Sequence, residues 1–294
     1  MAITASDVKK LREMTGAGMM DCKKALSETS GDMEQAVDFL RTKGLAAAQK
    51  KQSRVAAEGT VITLDGNGKG IILEVNCETD FVSKGNDFQN FAKSVAQYAL
   101  DNDIADLETL KSAKSEEINE LTLKCGEKVD VRRMEVIATD GALGAYNHGG
   151  KIGVLVDLAT TEKTNEDIEG LLKDLAMHVA AASPKFLNAS DIDEDFKVRE
   201  AAVYEAQLKE EGKPENMIPN IIKGKLNKLA SEVCLMDQKF VKDPDVTVKK
   251  LVEAISAKTG IELSVKGFYK LNLGEGIEKK EDNLADEVAK MTQK

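Results

Sequence analysis

The chain has 294 residues, 42% of them hydrophobic and 31% charged, with a net charge of −10. That length accommodates more than one hydrophobic core, and the acidic balance argues against the basic surface that grips nucleic acid or an anionic membrane. The opening MAITASDVKK lacks the apolar stretch of a secretory signal, and no apolar run reaches membrane-span length. Cys22, Cys77, Cys125 and Cys234 are far apart without a C-x-x-C pair, so free thiols in a reducing cytosol are expected rather than a zinc cage or disulfide framework.

Residues 1–54 read as a small helical module. Thr4 with Asp7 fits a capping box, and the helix it opens carries Val8 and Leu11 on one face. Thr15-Gly16-Ala17-Gly18 breaks it, and a second helix from Met19 presents Cys22, Ala25 and Leu26. After Ser30-Gly31, Asp32 caps a third helix with Val37 and Leu40 facing inward. Three short helices joined by glycine turns resemble the ubiquitin-associated type of module. Gly44 to Arg54, rich in Ala and Lys, has little to bury and reads as a helical linker.

From Val55 the period changes. Thr60–Leu64 and Ile71–Val75 are β-branched runs around DGNGKG, a hairpin signal. A helix follows with Phe88, Phe91, Ala92, Val95 and Ala99 on one apolar face. A charged helix at 107–124 and a strand at 128–138 lead to a second hairpin, Leu143–Tyr146 and Ile152–Val156 around NHGGK. Its helix carries Ile168, Leu171, Leu172, Leu175 and Val179. The repeated order suggests an internal duplication.

Residues 190–230 are charge-dense and divided by Gly212-Lys213-Pro214, which predicts an antiparallel αα-hairpin. Pro219 requires its second helix to start nearby or kink. A helix at 246–259, a strand at 261–271 and an amphipathic helix carrying Leu284, Val288 and Met291 complete the chain. The organisation expected is α+β. A three-helix ubiquitin-associated-like module and linker occupy 1–54, and a duplicated hairpin-plus-helix α/β core begins with halves at 55–140 and 141–186. An antiparallel helical hairpin is inserted at 187–228, the second half continues at 229–263, and a C-terminal helical module spans 264–294.

Chemistry is scarce. His148 and His178 are the two histidines, and neither belongs to an H-E-x-x-H pattern. His178 reads as a structural or surface residue, whereas His148 lies in a glycine turn where a partner could touch it. The stretches at Gly16–Gly18, Gly66–Gly70 and Gly274–Gly276 all miss the phosphate-loop pattern and read as turns. No metal site, cofactor or catalytic constellation is indicated.

Two segments are more specific: TGAGMMDCKKAL (Thr15 to Leu26) and EVNCETDFV (Glu74 to Val82). With HGGKIGVL from His148, MHVAA from Met177 and GEGIEK from Gly274, they resemble elongation factor Ts, in order along essentially the whole chain. The resemblance implies a cytoplasmic translation factor that binds elongation factor Tu–GDP and promotes exchange of GDP for GTP. It implies no covalent catalysis, no cofactor and no direct contact with nucleic acid or membrane. Thr79, Asp80, Phe81 and Val82 match the segment that displaces the partner's magnesium ion from the nucleotide site. Arg12, Met19, Met20 and His148 match further partner contacts. From the residues alone Phe81 reads as a core aromatic, whereas the resemblance implies an exposed wedge on a strand-end loop. Met19 and Met20 cannot both face one small core, so one of them is expected at the surface. A binding adaptor built on the N-terminal module is the alternative, but it leaves ETDFV and the repeated core without a use. Self-association through the αα-hairpin stays open.

Overall fold

Thr4 and Asp7 do form a capping box, each side chain accepting from the other's backbone N–H. In the computed structural model, which describes residues 3–66, 68–162 and 165–278, the box opens α1 (Ala5–Thr15), followed by α2 (Met19–Glu28) and α3 (Met33–Lys51). Asp32 caps α3 by accepting from Gln35 N at 2.9 Å. The three helices close on Val8, Leu11, Cys22, Ala25, Leu26, Ala36 and Leu40.

β1 (Glu58–Gly66) and β2 (Lys69–Cys77) pair as a hairpin, and α4 (Asp80–Ser83), α5 (Asn86–Asp101), α6 (Leu107–Ala113) and α7 (Ser115–Cys125) follow. β3 (Asp130–Ala138) returns antiparallel to β2, giving a sheet of order β1-β2-β3. Two expectations need correction here. The charged helix at 107–124 is two helices, because Lys114 at φ −103°, ψ 10° closes α6 and starts α7. The segment expected as a helical linker at 44–54 is helical as far as Lys51, but it continues α3 instead of forming a separate piece, since Ala, Gln and Lys are strong helix formers and nothing interrupts them. That segment is docked, with Gly44 set against Asn119 and Leu123 of α7.

The second sheet contains β4 (Ala142–His148) and β5 (Ile152–Ala159), and α8 (Glu166–Ala182) follows them. The helical hairpin is α9 (Glu194–Glu210) and α10 (Ile218–Val233). Pro219 sits in the first turn of α10, where a missing N–H costs nothing, so it starts the helix without kinking it. The expected boundary at 228 therefore cuts through α10. A small ribbon of β6 (Lys239–Phe240) and β7 (Asp243–Thr247) leads to α11 (Val248–Thr259) and β8 (Ser264–Asn272). β8 pairs with β5, giving the order β4-β5-β8. The boundary at 264 thus falls at the start of a core strand, whose Val265 and Leu271 are buried. The expected helix with Leu284, Val288 and Met291 lies outside the described residues.

The two sheets pack face to face through Val61, Ile72, Ile137, Leu155 and Leu271. α5 covers the outer face of the first sheet with Phe88, Phe91, Ala92, Val95 and Ala99. α8 and α11 cover the second with Ile168, Leu171, Leu175, Val248 and Val252. This helix–sheet–sheet–helix stacking explains why β2 and β5 read as continuous apolar runs, because both of their faces are buried. Gly153 lets the sheets approach. A Cβ there would lie 2.5 Å from Val61 Cγ1 and 3.1 Å from Ile72 Cδ1. Gly153→Ala is expected to destabilise the fold by about 1–3 kcal/mol, the usual cost of overpacking. Urea unfolding measures it, and a change below about 0.5 kcal/mol would show that the sheets yield freely.

Polar bonds also join the sheets. Val61 N–H donates to Gly150 O at 2.7 Å, and Asn147 Nδ2 donates to Val61 O at 2.7 Å. Directly across from Val61, Glu74 of β2, 0% exposed, accepts from Arg132 Nη1 at 3.1 Å, Arg133 Nε at 2.6 Å and Gly274 N at 2.9 Å. Arg133 also donates to Asn272 O at 2.8 Å. Burial alone would push the Glu74 carboxyl up, but the Gly274 amide, Asn76 and Arg133 together hold it below the usual carboxylate range.

His178 is buried and structural. Val241 N–H donates to its Nδ1 at 3.3 Å, which leaves the proton on Nε2 facing Gln238 Oε1 at 2.9 Å. Burial depresses its pKa and keeps it neutral. Among the described residues no helix is long and apolar enough to cross a membrane.

Candidate functional site

ETDFV begins as β2 ends. The segment expected as a strand-end loop is instead a single helical turn, α4, capped by Thr79, whose hydroxyl accepts from Val82 N–H at 3.4 Å. Consecutive helical residues point about 100° apart, so the turn separates Phe81 from Val82. Val82 packs partly buried against the first-half core. Phe81 is 86% exposed, the most exposed of the large apolar side chains among the described residues. The expectation of a core aromatic is overturned, because the turn directs Phe81 away from the sheet while Val82 fills the core-facing position. Asp80, beside it, pairs with Lys84 at 2.6 Å, and that bond holds its carboxyl below the ordinary range.

The base of the turn is firmly tied. Glu127 accepts from Glu78 N at 3.1 Å, Thr79 N at 2.9 Å and Thr79 Oγ1 at 2.6 Å. Glu78 in turn accepts from Lys128 N at 2.7 Å and from Arg54 Nη1 at 3.2 Å. Below them Cys77 donates to Thr79 O at 3.2 Å, and burial followed by the nearby Glu127 charge pushes its thiol up to about 12. Such a thiol is a core group and a poor nucleophile. Glu127 did not stand out in the sequence, since nothing local marks a carboxylate whose partner lies 48 residues away.

The other expected contact residues are all at the surface. Arg12 is exposed near the end of α1. Met19 and Met20 are 56% and 73% exposed. At least one of the pair was expected at the surface and both are there, because Cys22, Ala25 and Leu26 already fill the core-facing side of α2. His148 is exposed as the last residue of β4, at the mouth of its turn, with Nδ1 3.0 Å from Tyr146 Oη. Its turn and the prong lie at one end of β1: Glu58 pairs with Cys77, while Val61 meets Gly150. The corner of the N-terminal module approaches the same region. A Cβ on Gly16 would lie 3.3 Å from Lys124 Cδ, and Lys124 pairs with Asp87, in the first turn of α5, at 2.8 Å.

The sequence profile described as Elongation factor TS matches residues 78–275. Elongation factor Ts of Magnetococcus marinus is 48% identical over 303 aligned residues that cover 100% of both chains. The chain belongs to the elongation factor Ts family. Similarity is nearly as high to the elongation factor Ts of Clostridium novyi, 47% over 306 residues covering 99% of this chain and 100% of that one. For Trichlorobacter lovleyi it is 47% over 307 residues, covering 98% of each. As a member of the elongation factor Ts family the chain is a translation elongation factor. In this family member the profile match begins at Glu78, at the base of the prong. Among the described residues no group of three or more His, Cys, Asp or Glu side chains could hold a metal ion.

Proposed function

We propose that the chain binds elongation factor Tu–GDP in the cytoplasm and promotes release of GDP, so that GTP can take its place. Thr79, Asp80, Phe81 and Val82 act as a stiff prong that disturbs the surroundings of the partner's magnesium ion. Magnesium neutralises diphosphate charge, so shifting what holds it weakens GDP much more than losing a neutral contact would. No bond of substrate or protein is made or broken, and the protein needs no cofactor. The observation that carries this reading is a large aromatic, 86% exposed, on a turn with a tightly bonded base. An apolar group of that kind gains most when a partner's pocket removes it from water. Arg12, Met19 and Met20 of the N-terminal module at 1–54, and His148 of the core, are assigned as further contacts on the same partner.

Exchange is a linkage effect. A factor that weakens GDP must itself be weakened equally by GDP, so the three-component complex is transient and the nucleotide-free one tight. A weakening of about 10³ requires about 4 kcal/mol, more than the usual coupling of about 1–3. Several contacts acting together supply it more readily than the prong alone.

The test is release of fluorescent GDP from purified elongation factor Tu, with and without the full chain. Acceleration that saturates with concentration is the expected result. Binding without acceleration would overturn exchange in favour of an adaptor.

A further inference from the structure

Glu127 lies between the end of α7 and the start of β3 and bonds to the residues that enter α4. It follows Gly126, whose φ of +76° ends α7 and turns the chain back toward the prong. Its Oε2 accepts both Glu78 N–H and Thr79 N–H, and its Oε1 accepts the Thr79 hydroxyl proton. The last bond has a consequence for the cap. A threonine hydroxyl has one proton, so giving it to Glu127 turns an oxygen lone pair toward Val82 N–H. Glu127 therefore fixes both the backbone that enters α4 and the rotor that caps it.

A turn of four residues cannot hold itself. Its direction is set by its attachments, and a charged acceptor making three bonds is the strongest of those at its base. The adjoining residue extends the junction. Lys128 N–H donates to Glu78 Oε1, and Lys128 Nζ donates to Gln52 O at 2.8 Å and Arg54 O at 3.3 Å, just beyond the end of α3. Arg54 closes the circuit on Glu78.

We propose that Glu127 is a positioning residue for nucleotide exchange, fixing the direction in which Phe81 projects, while its neighbours Lys128 and Glu78 join the base of the turn to the end of the N-terminal module. The inference rests on the exchange reading above. Glu127 touches the prong's backbone and cap, so it acts through Phe81 and not on the nucleotide.

The experiment measures the saturating rate of labelled-GDP release from elongation factor Tu, and the half-saturating concentration, for five full-length chains. These are the parent, Glu127→Ala, Glu127→Gln, Phe81→Ala and the double variant Phe81→Ala/Glu127→Ala. Glu127→Ala should lower the saturating rate about tenfold, the order of loss when a supporting group lets a contact drift. Its half-saturating concentration should stay within about twofold, because the other contacts persist. Glu127→Gln, which keeps the length and one acceptor oxygen, should fall between, and it serves if the alanine variant fails to fold by circular dichroism. In the Phe81→Ala background, Glu127→Ala should change the rate by less than about twofold. A parent-like rate for Glu127→Ala, or an equal loss in both backgrounds, overturns the assignment while leaving the exchange reading intact. A parent-like rate for Phe81→Ala removes the prong itself, and the inference with it.

Discussion

Replacing Phe81 by alanine should slow saturated GDP release about 30-fold, equivalent to the loss of about 2 kcal/mol at a single strong contact. The fold should be unaffected. The ring is 86% exposed and belongs to none of the hydrophobic clusters, and substitutions at such positions usually change stability by less than about 0.5 kcal/mol. Circular dichroism and thermal unfolding of the variant check that half of the prediction. Asp80→Ala should slow release less, since it breaks an exposed pair with Lys84 whose attraction water largely screens. If Phe81→Ala released GDP at the parent rate, the prong would have no part in exchange, although membership of the family would be untouched.

Glu74→Ala should be strongly destabilising, by about 3 kcal/mol in urea unfolding. The carboxylate is wholly buried, and its removal takes the shared acceptor from Arg132, Arg133 and the Gly274 amide at the seam between the two sheets. The guanidinium groups are about one quarter exposed, which keeps the loss at the low end of the range for broken buried pairs. The pH dependence has a definite sign. The folded-state pKa of Glu74 lies below its ordinary value. Its contribution is therefore full above the unfolded carboxylate pKa and disappears as pH falls through the folded one. Glu74→Gln should remove this part of the acid sensitivity, so the parent and the glutamine variant should converge as pH drops. Parallel stability curves for the two would show that the ion cluster contributes nothing specific.

Much of the secondary structure follows from short-range rules. The Thr4–Asp7 box, the Asp32 cap, Pro219 in a first helical turn and the two hairpins all depend on residues within a few positions of one another. Such rules failed where local preference was ambiguous. A charged stretch divided at Lys114, and the alanine-rich helical segment expected as a separate linker continued α3 as far as Lys51. The motifs around Met19, Phe81 and His148 also sufficed to suggest the family.

What the sequence by itself determined is therefore the kind and order of the elements and the motifs they carry. Tertiary structure alone decided that the two sheets lie face to face, that β8 joins the second of them, and that Val82 packs on the first-half core. It also brought Glu127 to Thr79 across 48 residues, and Glu74 to Gly274 across 200. The reason is physical. Caps and periods are set by neighbours one helical turn away, whereas a buried carboxylate is matched to its donors only after packing has excluded water and brought distant strands together.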